Sequence, residues 1–233
     1  MAVLATSAYA GTITDVKLPL YQKITLSGGS LSSNETVLAG QILLATPSGT
    51  LGVWCVDLDT KVHLGGHYSY TPGSLSTNNL SSPYTATLGA GQIDVIQQLA
   101  ALGNAVLGSG SAASSDLVEA LAAGLSAFDG ETDTDVMAAY TLVTTGSRSL
   151  FSAALQASIW AAEYGTTVVN ASRTFNGMLA AIELGRAYFD DVGGYQLNLL
   201  NAQQLYAPRV PEPASLALLG FGLVGIGFLR RRI

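Results

Sequence analysis

The chain has 233 residues, 48% hydrophobic and only 11% charged, with a formal net charge of -6 from 10 Lys and Arg against 16 Asp and Glu. A chain of this length can bury roughly 70% of its unfolded surface, so its core needs no covalent framework, and the single cysteine excludes an internal disulfide. No basic stripe is present to neutralise phosphates, so nucleic acid is not an expected partner.

Met1 to Ala10 reads MAVLATSAYA, a small, apolar stretch that ends in Ala8-Tyr9-Ala10, the A-x-A form of a signal-peptidase site. It lacks a basic leader and a full apolar stretch, so the expectation is a start codon further upstream and a mature chain from Gly11. Residues 11–209 are expected to form one exported domain. Gly11 to about Leu88 carries short runs of Thr, Val, Leu and Tyr broken by Gly28-Gly29, Pro47-Ser48-Gly49, Gly65-Gly66 and Pro72-Gly73, the rhythm of strands and turns.

From Gly89 the spacing becomes helical. Gln92 to Leu102, Ser115 to Phe128, Asp135 to Leu142, Ser147 to Tyr164 and Thr174 to Val192 each repeat apolar residues at about three and a half. The Ser, Gly and Ala patch from Gly108 to Ser115 reads as a loop, and a last extended piece runs from Tyr195 to Tyr206. Strands first and helices later predict an α+β fold: N-terminal antiparallel strands, a helical section, and a single C-terminal transmembrane helix.

Two of these elements carry candidate chemistry. In Leu51 to Leu58 a period of two places Val53, Cys55 and Asp57 on one face and Trp54, Val56 and Leu58 on the other. In the helix from Ser147 to Tyr164, Phe151, Leu155, Ile159 and Ala162 are expected to face the core, with Ser152, Gln156 and Glu163 on a neighbouring polar face. Ser147 is the expected N-cap and Gly165 the expected terminator.

Residues 210–233 have three parts: Val210-Pro211-Glu212-Pro213, an apolar run Ala214 to Leu229 with Ser215 alone polar, and Arg230-Arg231-Arg232. At about 1.5 Å per residue the run makes a helix of about 24 Å, against a hydrocarbon core of roughly 30 Å, so the arginines must snorkel. Arginines after the run predict that this end stays in the cytoplasm. Gly220, Gly222, Gly225 and Gly227 within it argue against a soluble core helix.

This tail resembles the PEP-CTERM sorting signal of Gram-negative bacteria that make exopolysaccharide. The resemblance implies signal peptidase and an exosortase as processing partners, an inner-membrane intermediate, and delivery to the cell surface or extracellular matrix. Cleavage after Pro213 would leave a mature chain more acidic than the precursor.

A second resemblance covers roughly Val37 to Gly165. The Trp54-Cys55-Val56-Asp57 strand and the helix reading Leu155-Gln156-Ala157-Ser158-Ile159-Trp160 resemble the paired motifs of bacterial thioester domains, best known in surface adhesins. The same Cys-Val-Asp-Leu and Gln-x-x-Ile-Trp-x-x-Glu-Tyr-Gly pattern resembles a recurrent group of PEP-CTERM proteins. The adhesins commonly have Tyr before the Cys and Thr before the Gln, where this chain has Trp54 and Leu155, and Ser158 stands for a usual Ala. The resemblance implies that the Cys55 thiol and the Gln156 carboxamide condense with loss of ammonia. The resulting thioester would acylate an amine or hydroxyl on a surface, with Asp57 and Trp160 in support.

Other constellations are weaker. His63 and His67 flank Gly65-Gly66, which points to a turn and not to a helical metal pair. The acidic run Asp129 to Asp135 lacks the order of a calcium loop, and Gly220-x-Gly222-x-x-Gly225 has no preceding strand. A strand position for Cys55 does not suit an activated hydrolase thiol. The expectation is therefore a non-enzymatic exported protein with no cofactor and no metal, possessing either a reactive thioester or an inert acidic domain held in extracellular polysaccharide. A secreted hydrolase is the remaining alternative.

Overall fold

The computed structural model describes residues 11–58, 60–75, 88–107, 148–187, 194–199 and 204–208. Alternation of apolar and polar residues builds a strand pair, β2 (Asp15–Ser27) and β3 (Glu35–Thr46), and a two-residue turn at Pro47 and Ser48 leads into β4 (Gly49–Cys55). Gly49 leaves that turn at φ +132, in a region open to glycine and strained for other residues. The chain also forms β1 (Gly11–Ile13), β5 (Tyr68–Gly73), β6 (Thr167–Val168), β7 (Gly194–Leu199) and β8 (Leu205–Pro208).

All eight described strands join one antiparallel sheet in the order β1-β5-β7-β8-β4-β3-β2-β6. Thr14 alone separates β1 from β2, and its N–H donates to Ala45 O at 2.9 Å. The ladder that leaves β2 through β3, β4, β8, β7 and β5 therefore returns to β1 on the same stretch of chain. The sheet closes on itself, which removes most of its free edge, and β6 hangs on the far end of β2.

Three helices complete the described residues: α1 (Ala90–Leu107), α2 (Arg148–Tyr164) and α3 (Arg173–Arg186). The α+β class and the antiparallel strands stand. Helix α1 is longer than the expected 92–102. Helix α3 starts at Arg173, one residue earlier than expected, because Ser172 caps it by accepting from Phe175 N–H at 3.1 Å. Gly165 ends α2 as expected, at φ +71 with its N–H on Ala161 O at 2.9 Å.

One expectation is corrected. The extended piece from Tyr195 to Tyr206 is two strands, β7 and β8, paired antiparallel from Gly194↔Pro208 to Leu197↔Leu205. They enter the sheet between β5 and β4, so this late segment is central and not a trailing extension.

Among the described residues no helix is long and apolar enough to cross a membrane. The expected signal residues Ala8 and Ala10, the N-cap Ser147, the helices at 115–128 and 135–142, the acidic run, and the tail with its helix at 214–229 all lie outside the described residues.

Candidate functional site

The β3–β4 ladder ends at Ile42↔Val53. Beyond it the strands part, and α2 lies across the gap with contacts to both β2 and β3. Successive residues of a strand turn their main-chain groups to opposite neighbours. Val56 N–H donates to Gln204 O at 3.1 Å on the β8 side, so the groups of Cys55 face the side that β3 has left. Gln156 fills the place of the missing strand. Its Oε1 accepts from Cys55 N–H at 3.0 Å, and its Nε2 donates to Cys55 O at 2.8 Å.

Ser152, one turn earlier, does the same for β3 and accepts from Gln41 N–H at 2.7 Å. The polar face expected of this helix is therefore real, and it is turned inward. Ser152, Gln156 and Glu163 are all buried, because they meet the main chain and the interior of the sheet. The expected core stripe is also buried at Phe151, Leu155 and Ile159, leaving α2 enclosed on almost every side.

The strand expected at Leu51 to Leu58 is present as β4, starts earlier at Gly49, and is buried on both faces toward its end. Val53, Trp54, Cys55, Val56 and Asp57 are all buried, and the strand ends at Cys55. Trp54 packs on α1, where its Nε1 donates to Asn104 Oδ1 at 3.1 Å. That Oδ1 also accepts from Gln41 Nε2 at 2.7 Å, while Asn104 Nδ2 donates to Gly52 O at 3.0 Å.

Cys55 and Gln156 are thus brought together across a sequence separation of 101. The thiol donates to Asp57 O at 2.9 Å. Burial pushes its pKa well above the ordinary thiol value, and the charges of Asp57 and Glu163 add to the rise. Trp160 is buried beside it. Its indole N–H favours the thiolate somewhat but makes no hydrogen bond within bonding distance. Asp57 is held through Thr60, whose N–H donates to Oδ1 at 3.3 Å and whose hydroxyl donates to Oδ2.

Sequence reasoning missed the part played by Glu163 and Tyr164. Glu163 is 4% exposed, and neither carboxyl oxygen has a hydrogen-bond partner. Burial raises its pKa well above the carboxylate range, and the charge of Asp57 raises it further. Tyr164 donates its phenolic O–H to Val56 O at 3.2 Å, and burial raises its pKa strongly, with Glu163 next in effect. The signal lay in the spacing, since positions 152, 156, 160 and 163 share one helical face.

The opposite face of α2 lines a cavity of about 570 Å³. Ala157, Ser158 and Ala161 meet Val95 and Leu99 of α1, Leu179 of α3 and Thr166 there. The body of the helix separates this cavity from Cys55. His63 and His67 are both exposed, and Gly66 N–H donates to His63 O at 3.0 Å, so the pair sits on a turn. Among the described residues no group of three or more His, Cys, Asp or Glu is placed to hold a metal ion.

No curated protein and no solved structure matches the chain. Residues 209–232 match the protein family described as the PEP-CTERM protein-sorting motif, which implies an exosortase as processing partner and export by the membrane-anchored sorting route to the cell surface.

Proposed function

We propose that this is an exported surface protein of a Gram-negative bacterium whose folded domain forms an internal thioester between Cys55 and Gln156 and uses it to capture an amine or hydroxyl on a partner surface. The observation that carries the reading is the seating of the Gln156 carboxamide on Cys55 itself. In that pose the Cys55 N–H already donates to Oε1, the atom on which negative charge develops when a thiol attacks the amide. Burial of Trp160 and Tyr164 around the pair excludes the water that would hydrolyse the product. The protein is not a turnover catalyst, since a thioester reacts once. Ala8 and Ala10 are its signal-cleavage residues, and Pro211, Glu212, Pro213, Arg230, Arg231 and Arg232 form the sorting signal.

A second reading has its own support. Gln156 uses both ends of its amide on the main chain of Cys55, and the thiol is pushed away from its reactive thiolate. On this reading the pair is a structural clamp in an inert acidic domain retained by extracellular polysaccharide. Intact mass of the purified protein separates the two. A mass short by one ammonia, with Cys55 resistant to alkylation until methylamine is added, supports the thioester. Full mass and a thiol that alkylates as soon as the protein is unfolded, with no methylamine adduct, supports the clamp.

A further inference from the structure

We propose that Glu163 is the proton carrier for closure of the Cys55–Gln156 thioester, an inference that rests on the thioester reading above. Glu163 stands two helical turns after Gln156 on the same face of α2, and helical side chains lean toward the N-terminus of their helix. The carboxyl is therefore carried back toward the Gln156 and Cys55 pair, with Trp160 between the turns. Its charge acts on the Cys55 thiol, and Asp57 acts on both.

Neither oxygen of Glu163 is hydrogen-bonded, and no Lys or Arg among the described residues pairs with it. Burying a carboxyl without partners costs stability. A glutamine of the same shape would remove the charge; the Tyr164 hydroxyl favours the carboxylate but makes no hydrogen bond to it. On the same face of α2, Ser152 and Gln156 have main-chain partners in the sheet, whereas the Trp160 indole N–H, between them and Glu163, has none.

The chemistry of closure needs what Glu163 has to spare. The Cys55 S–H bond breaks, and its proton passes to the Glu163 carboxylate, directly or through one water. Sγ forms a bond to Gln156 Cδ, and the charge that develops on Oε1 rests on the Cys55 N–H. The Cδ–Nε2 bond then breaks, and the proton returns from Glu163 to Nε2, which leaves as ammonia. Glu163 ends as it began. Burial raises the pKa of both the carboxyl and the thiol, so each holds its proton more firmly than it would in water.

The test uses the full chain, exported and processed, with Glu163→Gln and Glu163→Asp variants. Treatment with ammonia reopens a thioester to thiol and carboxamide. Removal of the ammonia lets it close again, and intact mass follows the rate at several pH values. The expected result is closure in the parent and closure at least about tenfold slower in Glu163→Gln, without the parent's dependence on pH, while Glu163→Asp recovers part of the rate. Equal closure by the parent and a folded Glu163→Gln overturns the inference and leaves the thioester standing. If Glu163→Gln does not fold, Glu163→Asp decides: a slowed rate with a displaced pH profile supports the carrier, and an unchanged profile overturns it. A parent that never loses ammonia removes the thioester reading and this inference with it.

Discussion

The carboxamide of Gln156 closes a two-bond ring with the N–H and C=O of Cys55, so a helix side chain continues a β-ladder that its neighbouring strand has abandoned. Because the ring uses main-chain atoms of Cys55, it is indifferent to the thiol. Cys55→Ala is expected to cost about 1 kcal/mol, the loss of one buried heavy atom. Gln156→Ala leaves a buried donor and a buried acceptor unpaired at roughly 1–3 kcal/mol each. Urea denaturation of the two variants checks the order, and a Cys55→Ala loss as large as that of Gln156→Ala would contradict it.

Gln156→Glu turns the clamp into a pH sensor. A protonated carboxyl can still donate to Cys55 O and accept from Cys55 N–H, whereas the carboxylate faces Cys55 O without a proton. The folded state therefore raises the carboxyl pKa. Its stability is expected to be nearly that of the parent below the ordinary carboxylate range and to fall as pH rises through the raised value. Melting temperature against pH reads this directly.

Glu163 itself has the same sign. Its folded pKa is raised, so its contribution is fully present below the unfolded pKa and is lost as pH rises through the folded one. Glu163→Gln removes that loss. The variant is expected to gain on the parent as pH rises from the ordinary carboxylate value of about 4 through the raised one, as seen in denaturation midpoints. A gap that stays constant across this range would show that the carboxyl titrates normally.

Gly103 of α1 is fixed by Trp54. A Cβ at Gly103 would lie 2.2 Å from Cζ2 of that indole, and Trp54 is fully buried with its N–H held by Asn104. Gly103→Ala is expected to destabilise by about 1–3 kcal/mol through overpacking, outweighing the usual gain of Ala in a helix. Thermal unfolding of the variant is the measurement.

The sorting tail makes a prediction in cells. Replacing Pro211 and Pro213 with Ala, or deleting Arg230 to Arg232, is expected to leave the protein unprocessed in the inner membrane of an exosortase-bearing host. Fractionation and gel mobility check this. Normal arrival of both variants at the surface would reduce the tail to an ordinary anchor.

Local signals carried much of the fold. The Pro47-Ser48 turn, the period of α2 and the Gly165 stop are written in neighbouring residues, and each is found where its chemistry places it. Closure of the sheet was not legible, because it depends on pairings such as Trp54↔Tyr206 and Tyr70↔Leu199 between distant segments. The polar stripe of α2 was visible as a stripe, but its environment was not. A Ser or Gln that satisfies sheet main chain looks, in sequence, the same as one that faces water. Contact between Cys55 and Gln156 followed from the motif resemblance and not from any spacing. Glu163 needed the burial of both its oxygens to stand out from an ordinary surface acid.

Strand β8 occupies the middle of the sheet, with β7 on one side and β4 on the other, and ends at Pro208. A chain made and exported from its N-terminus has no completed ring until these residues arrive, so the domain's assembly waits on the segment next to its sorting address. Residues 209 and 210 are all that lies between β8 and Pro211, a tether of about 10 Å at full stretch. The processing enzyme must therefore work at the wall of a finished fold, or reach its site before the ring has shut.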